Sequence, residues 1–320
     1  MLGLQLATDL HRPDAWWPHG AAYAADFASG RYMRGGLAVS RGQALSVTRN
    51  SPKMIQNSAG QWQSVPANSL ARSDLGASFE PASTNCIHNS AMVGAAPGAP
   101  GTIPTGWSIP TTSNGLTRQV TAVGSSNGMP YVDIRLSGTT TAENFINIDL
   151  VGSNFVAAAN GQTWTLSCFL ALAAGSFDGL LAGLGCRLRV AVRATGGAYL
   201  GELSSSPSIS PTQTLTRFHQ TATISNPTAG VISPYIQVWY QSGQAINLTL
   251  RLSLPQLEQT SFVSSPIPTY GTAVARAADT VTLNAPSTTG LSVTTTGGAT
   301  EAISAPWTPA RPYEAARITG

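Results

Sequence analysis

Between Asn85 and Ser265 the chain alternates apolar and polar residues in one short run after another. "YVDIRLSG", "ENFINIDL", "QTWTLSCFLAL", "CRLRVAVRA", "TLTRFHQTATI", "SPYIQVWYQ" and "INLTLRLSLPQLE" each have a period of two and are rich in β-branched and aromatic residues. That period sends alternate side chains to opposite faces of a strand, one toward a core and one toward water. Clusters of Gly, Asn, Pro and Ser separate the runs at fairly regular intervals, as turns require. A parallel sheet would need a long crossover, usually a helix, between successive strands. The only helix candidate is "SFDGLLAGLG", and its glycines weaken it. The sequence therefore predicts an all-β protein, an antiparallel jelly-roll β-sandwich over 85–265.

The flanks follow different rules. Residues 1–84 are irregular and read as an attachment region with small hairpins. In "HRPDAWWPHGAAYAADFASGRY", Trp16 and Trp17 are apolar anchors that either pack on the following domain or dock into a partner. "ALSVTRN" and "QWQSVPA" read as a hairpin region. After Ser265, "PIPTYGT" makes a stiff connector, because Pro fixes φ and keeps the preceding Ile267 extended. Arg276 and Asp279 then lead into "DTVTLNAP", "GLSVTTTG" and "TEAISAPW", two or three short strands. Residues 266–320 are too few for a core of their own, so this element needs the sandwich, the N-terminal region or a neighbouring chain as its partner.

Only 10% of the residues are charged while 42% are hydrophobic, so the polar surface is built mainly from Ser, Thr, Asn, Gln and Gly. A net charge of +3, thinly spread, excludes a nucleic-acid-binding surface. The densest basic run, "CRLRVAVRA", sets Arg187, Arg189 and Arg193 on one strand face, as a solvated sheet face or a patch for acidic glycans. Lys53 is the only lysine and reads as coding bias. Cys86, Cys168 and Cys186 have neither an even count nor metal-like spacing, which predicts free thiols. No run of apolar residues is long enough to span a membrane, and the opening residues do not read as a secretion signal. The expectation is a protein with an extracellular character, made in a cytoplasm and released by lysis.

Catalytic patterns are lacking. His11, His19, His88 and His219 are scattered, Cys86 beside His88 reads as structural, and no phosphate-loop or nucleophile-elbow motif occurs. Asp133, Glu143, Asp149, Asp178, Glu202 and Glu258 sit in no acid/base context, so the chain reads as a non-enzyme without cofactors. Sugar binding is better motivated. In "PYIQVWYQ", Tyr235, Gln237 and Trp239 share one face, and Ile236, Val238 and Tyr240 share the other, which is the natural core face. Tyr235, Gln237 and Trp239, with Arg187 and Arg189, are the candidate glycan-binding residues, since aromatic rings stack on sugars and amides and guanidiniums satisfy hydroxyls. The opposite parity would bury Trp239 in the core. Trp107 and Trp164 read as core residues.

"HNSAMVGAAPGAPGTIPTGWSI" resembles the opening of carbohydrate-binding, galactose-binding-like jelly rolls, with an Asn-rich start followed by Pro-x-Gly-Trp. "LRLSLPQLEQ" is similar to their closing strand. On a larger scale, "ADFASGRY", then "LSVTRNSPKMIQNSAGQWQSVPANSLARSDLGASFEPASTN", then the sandwich and "PQLEQTSFVSSPIPTYGTAVARAAD" resemble tail-fibre, spike and related proteins of tailed bacteriophages, from about Asp26 to Leu283. The stretch "TRNSPKMIQ" and the closing Ser265-Pro266-Ile267-Pro268-Thr269 depart from that family's pattern. The resemblance implies a virion structural protein on the particle surface that attaches to host polysaccharide. It implies other virion proteins as partners through the N-terminal region, and a homo-oligomer, a trimer by analogy with fibres. It also admits a structural calcium held by Glu258 and carbonyls around Asn89. Two alternatives stand beside it: an architectural head or tail protein without sugar binding, and an accessory module of a secreted glycan-active enzyme.

Overall fold

A computed structural model describes residues 16–287 and 290–320. The start of the N-terminal region, His11 included, lies outside them. Strands dominate, and the helical content of the described residues is one turn, Arg41–Ala44. None of their helices is long and apolar enough to cross a membrane. Among the described residues two large apolar cores, with a small third cluster of Met129, Phe169 and Leu254, organise the chain.

The larger core belongs to an antiparallel jelly-roll sandwich. Six strands form one sheet in the spatial order Thr112–Ser113, Leu116–Ser126, Met129–Thr139, Ala245–Glu258, Thr163–Gly175, Thr216–Thr223. The facing sheet runs Asn144–Asp149, Val231–Tyr240, Cys186–Arg193, Tyr199–Ser205, with Val156–Ala157 also paired to the Val231–Tyr240 strand. Ile134, Leu136, Leu250 and Leu252 from the first sheet meet Ile148, Leu188, Ile236 and Val238 from the second. Trp107 and Trp164 are buried there too, and Trp107 Nε1 donates to the Asn89 carbonyl. Each predicted run forms a strand. Four more sandwich strands carry no clean signal: Thr112–Ser113 and Val156–Ala157 have two residues each, and in Leu116–Ser126 and Tyr199–Ser205 β-bulges interrupt the alternation of the strand or of its partner. "SFDGLLAGLG" forms turns in place of a helix, with Gly179 and Gly183 at φ +78° and +77°.

The smaller core joins the two ends of the chain. Tyr313–Thr319 is the central strand of a sheet, flanked by Tyr23–Asp26 on one side and Ser292–Thr295 on the other, and it also pairs with Gly76–Phe79. Tyr23, Phe27, Phe79, Val293, Trp307 and Ile318 pack beneath it. The expected hairpin is differently composed. Leu45–Thr48 pairs with Thr280–Leu283, and the hairpin forms between Lys53–Gln56 and Trp62–Val65. Leu45 and Val47 enter the end-to-end core alongside Val281 and Leu283, and this burial outweighs pairing with the nearest run.

Where the sandwich meets this base, five charged residues are no more than 2% exposed: Arg49, Lys53, Glu80, Arg276 and Asp279. Asp279 Oδ1 lies 2.7 Å from Arg49 Nη1, and its Oδ2 lies 2.9 Å from Lys53 Nζ. Glu80 Oε2 lies 3.1 Å from Lys53 Nζ and 2.9 Å from Arg276 Nη1. Burial alone would raise the Glu80 carboxyl, but Lys53 and Arg276 outweigh it and bring it down to about 2. Buried charges persist only when paired, and the lone lysine is held by two carboxylates.

Candidate functional site

The strand Val231–Tyr240 sits between Asn144–Asp149 and Cys186–Arg193, and its register builds cross-strand rows. Asn147, Gln237 and Arg187 form one row, and Asp149, Tyr235 and Arg189 form the next. Phe145 pairs with Trp239 at one end, and Arg193 with Tyr199 at the other. Ile236, Val238 and Tyr240 face the core, so Tyr235, Gln237 and Trp239 face outward with the arginines. The side chains of these rows and end pairs, all except Gln237 and Asp149, together with Ala191 and Glu202, line a groove of about 460 Å³ on the outer face of the sheet.

The expected open stripe is in fact mostly a floor. Gln237 is fully buried and Tyr235 is 4% exposed, while Trp239 remains half-buried at the groove's end. Long arginine side chains from the neighbouring strand fold across the stripe and bond to it. Gln237 Oε1 accepts from Arg187 Nε and Nη2 at 3.2 and 3.0 Å and from Trp239 Nε1 at 2.6 Å. Its Nε2 donates to Asn147 Oδ1 at 2.9 Å, which fixes the orientation of the amide. Arg193 donates to Ser233 Oγ, Tyr235 Oη and the Gly197 carbonyl. Arg189 Nη2 donates to Tyr199 Oη at 2.7 Å. Its Nε lies 2.9 Å from Glu202 Oε2, an ion pair by distance whose N–H is not aligned as a hydrogen bond.

The exposed apolar surface lies at the ends. Tyr199 is 53% exposed, with the guanidiniums of Arg189 and Arg193 at 5.8 and 5.9 Å from its ring centroid. At the other end Phe145 and Trp239 pack with centroids 4.8 Å apart. Past Arg193, whose guanidinium lies 4.8 Å from the Phe155 ring, a second depression of about 530 Å³ opens beside Trp107, Ser108 and Asp149. Burial raises the Asp149 carboxyl to about 6. Bonds from the Val151 and Gly152 amides and the nearness of Arg193 oppose that shift only in part.

Sequence reasoning did not assign Phe145, Asn147 or Tyr199 to the site. The first two were legible in "ENFINIDL", where Phe145 and Asn147 alternate with the buried Ile146 and Ile148. Tyr199 carried no signal, since "AYLGELSS" does not alternate cleanly. Glu202 is the groove's one carboxylate, and Asp149, which borders the neighbouring depression, belongs to a strand three places away in the sheet. That separation is about 14 Å at the usual strand spacing, beyond the ~5–9.5 Å between the two carboxyls of a glycoside hydrolase. Asp133 forms a bidentate pair with Arg251 on the other sheet, at 2.8 and 2.9 Å. Cys86, Cys168 and Cys186 are free thiols, and burial pushes Cys86 up to about 11 and the other two to about 12.

The calcium site expected from the resemblance does not fit its residues. The Glu258 carboxylate accepts from the Ser83 and Ser264 hydroxyls and the Ser264 amide, which point hydrogens at it where a cation would need oxygens. The Asn89 amide is occupied by its own loop, through Val93 and Thr105. Among the described residues no three His, Cys, Asp or Glu side chains gather as a metal site.

No family model and no curated protein sequence matches the chain. Solved structures similar to it include a carbohydrate-binding module of the β-sandwich superfamily, 13% identical, with 73% of this chain and 84% of that one covered and a TM-score of 0.38. A xylan-binding domain from Paenibacillus barcinonensis is 14% identical over 56% of this chain and 94% of its own, with a TM-score of 0.31. An arabinose-bound α-L-arabinofuranosidase is 16% identical over 66% of this chain, with a TM-score of 0.38. The chain spans about a third, 31%, of that enzyme's length. The sandwich stands on its own strand pairing, and the ligands of these neighbours are theirs.

Proposed function

We propose that the outer groove of the five-stranded sheet binds a glycan, reversibly and without a cofactor. One observation carries this reading. Two aromatic surfaces, Tyr199 at one end and Trp239 with Phe145 at the other, flank a polar floor held in one arrangement by its own hydrogen bonds. Sugar rings stack on aromatic faces, and a pre-organised floor offers hydroxyl partners at low entropic cost. Single sites of this kind bind weakly, so several copies on one particle would supply the avidity. The setting we favour is the surface of a phage-like particle, with the base as the attachment element; the sequence resemblance in "PQLEQTSFVSSPIPTYGTAVARAAD" supports it. Mass spectrometry of purified particles bearing the chain would test that setting.

The binding reading is tested at the ends of the groove. Tyr199→Ala removes an exposed ring and leaves the core intact, so the variant should fold as the parent does by circular dichroism. Its retention in a gel containing host polysaccharide should fall by about two- to tenfold, in keeping with stacking and aromatic contacts of roughly 0.5–1.5 kcal/mol beyond area burial. Trp239→Ala should behave alike. An architectural protein without a sugar site would show no retention for the parent in the first place.

A further inference from the structure

Three guanidiniums line the groove, those of Arg187, Arg189 and Arg193, against one carboxylate, Glu202. Glu202 lies 2.9 Å from Arg189 and only 4.0 Å from Arg187. Arg193 is held entirely by neutral acceptors, the Ser233 and Tyr235 hydroxyls and the Gly197 carbonyl. Arg187 is likewise held by the Gln237 amide oxygen and the Ser205 hydroxyl. Hydrogen bonds to neutral oxygens position a guanidinium without cancelling its charge, so with Glu202 beside Arg189 and the Asp149 carboxyl near Arg193 the groove still keeps one positive charge in surplus.

The donor count points the same way. A guanidinium has five N–H groups. Arg187 spends one on each of its three nitrogens, and Arg193 does the same. Each therefore keeps one N–H on each terminal nitrogen, although Arg187 Nη2 also lies 4.0 Å from Glu202. Their positions are fixed in advance by the internal bonds. Arg187 and Arg193 lie six residues apart on one strand, about 20 Å at ~3.3 Å per residue, so a ligand reaching both must be a chain of several sugars. Ala191, between Arg189 and Arg193, leaves the middle of the groove open.

Resting on the glycan-binding reading, we infer that the groove's ligand is an anionic polysaccharide, with acidic groups repeated along the chain and bound at Arg187 and Arg193. A uronate carboxylate and a sulfate share this chemistry, and the experiment separates them.

Affinity electrophoresis of the full chain would use polygalacturonate and the same polymer after carboxyl reduction, and in parallel dextran sulfate and dextran. Retardation at least about tenfold stronger on one polyanion than on its neutral counterpart is expected, as charged hydrogen bonds are worth ~1.5–3 kcal/mol. It should fade as salt approaches 1 M, where screening reaches about 3 Å. Preference for polygalacturonate would identify a carboxylate ligand, and preference for dextran sulfate a sulfate. The double variant Arg187→Gln/Arg193→Gln should lose this preference, while Arg34→Gln/Arg317→Gln, with the same charge change on exposed base residues, should keep it. Equal retardation on charged and neutral polymers would overturn the inference and leave glycan binding standing. No retardation on any polymer would overturn both. An equal loss in the two double variants would reduce the effect to net charge and overturn the inference as well.

Discussion

At the residue scale, Asp149 is the group whose charge depends on its surroundings within an accessible pH range. Its carboxyl is raised to about 6 by burial, and the facing groups are Arg193 from the strand two places away in the sheet and Trp107 and Ser108 from the loop before the sheet. An unfolded Asp titrates near 3.9, so between about pH 4 and 6 the native state holds the proton that the unfolded state has released. Stability from this site is therefore present below about pH 4 and lost as pH rises toward 6. Asn keeps an acceptor for the Val151 and Gly152 amides and cannot ionise. The melting temperature of Asp149→Asn relative to the parent should thus be near zero at pH 4 and positive at pH 7. A difference that does not grow with pH would show that the carboxyl is not raised. The same residue illustrates what sequence alone could not give: in "ENFINIDL" it stands in no acid/base context, and only the loop packed beside it makes it unusual. Gln237 is similar, outward by parity yet fully buried by arginines whose reach a strand pattern does not encode.

At the element scale, the sandwich strands were legible because alternation and turn chemistry agree with the final burial. The base was legible only in part: the three short tail runs hold the strands Thr280–Leu283, Ser292–Thr295 and Thr300–Ala302, while Tyr313–Thr319 carried no signal. "YEAARIT" contains Glu, Ala and Arg, all good helix formers, yet it becomes a central strand because neighbours on both sides satisfy its backbone. Those neighbours are about 20 and about 290 residues away in sequence, and no local pattern reports such pairing. The parity of this strand can be tested on adjacent residues. Ile318 is fully buried, whereas Arg317 is exposed. Ile318→Ala should cost about 2–5 kcal/mol in denaturant unfolding. Arg317→Ala should change stability by no more than about 0.5 kcal/mol. Equal effects would mean that the strand is not seated in this register.

At the scale of the whole molecule, the ion cluster is the joint between base and sandwich. Arg49 and Lys53 come from the N-terminal region, Glu80 from the strand end leading into the sandwich, and Arg276 and Asp279 from the segment leaving it. The connector itself is tied to the sandwich entrance: Asn85 Nδ2 donates to the Pro255 and Ile267 carbonyls, and the Thr269 hydroxyl donates to the Ile87 carbonyl. Removing the Asp279 carboxylate strands Arg49 with only carbonyl partners, Ser51 and Pro66, and leaves Lys53 to Glu80 and the Ser78 carbonyl. An unpaired buried charge costs about 3–5 kcal/mol, so Asp279→Ala should be strongly destabilising. Its effect should also be uneven, because the sandwich core contains none of the five residues. Calorimetry of the parent should give one transition. In Asp279→Ala the base should melt first and the sandwich later, with groove binding persisting between the two transitions. A single transition shifted downward as a whole would instead assign the coupling to the apolar contact of Trp62 on Phe169, whose rings meet at 5.7 Å across the same joint.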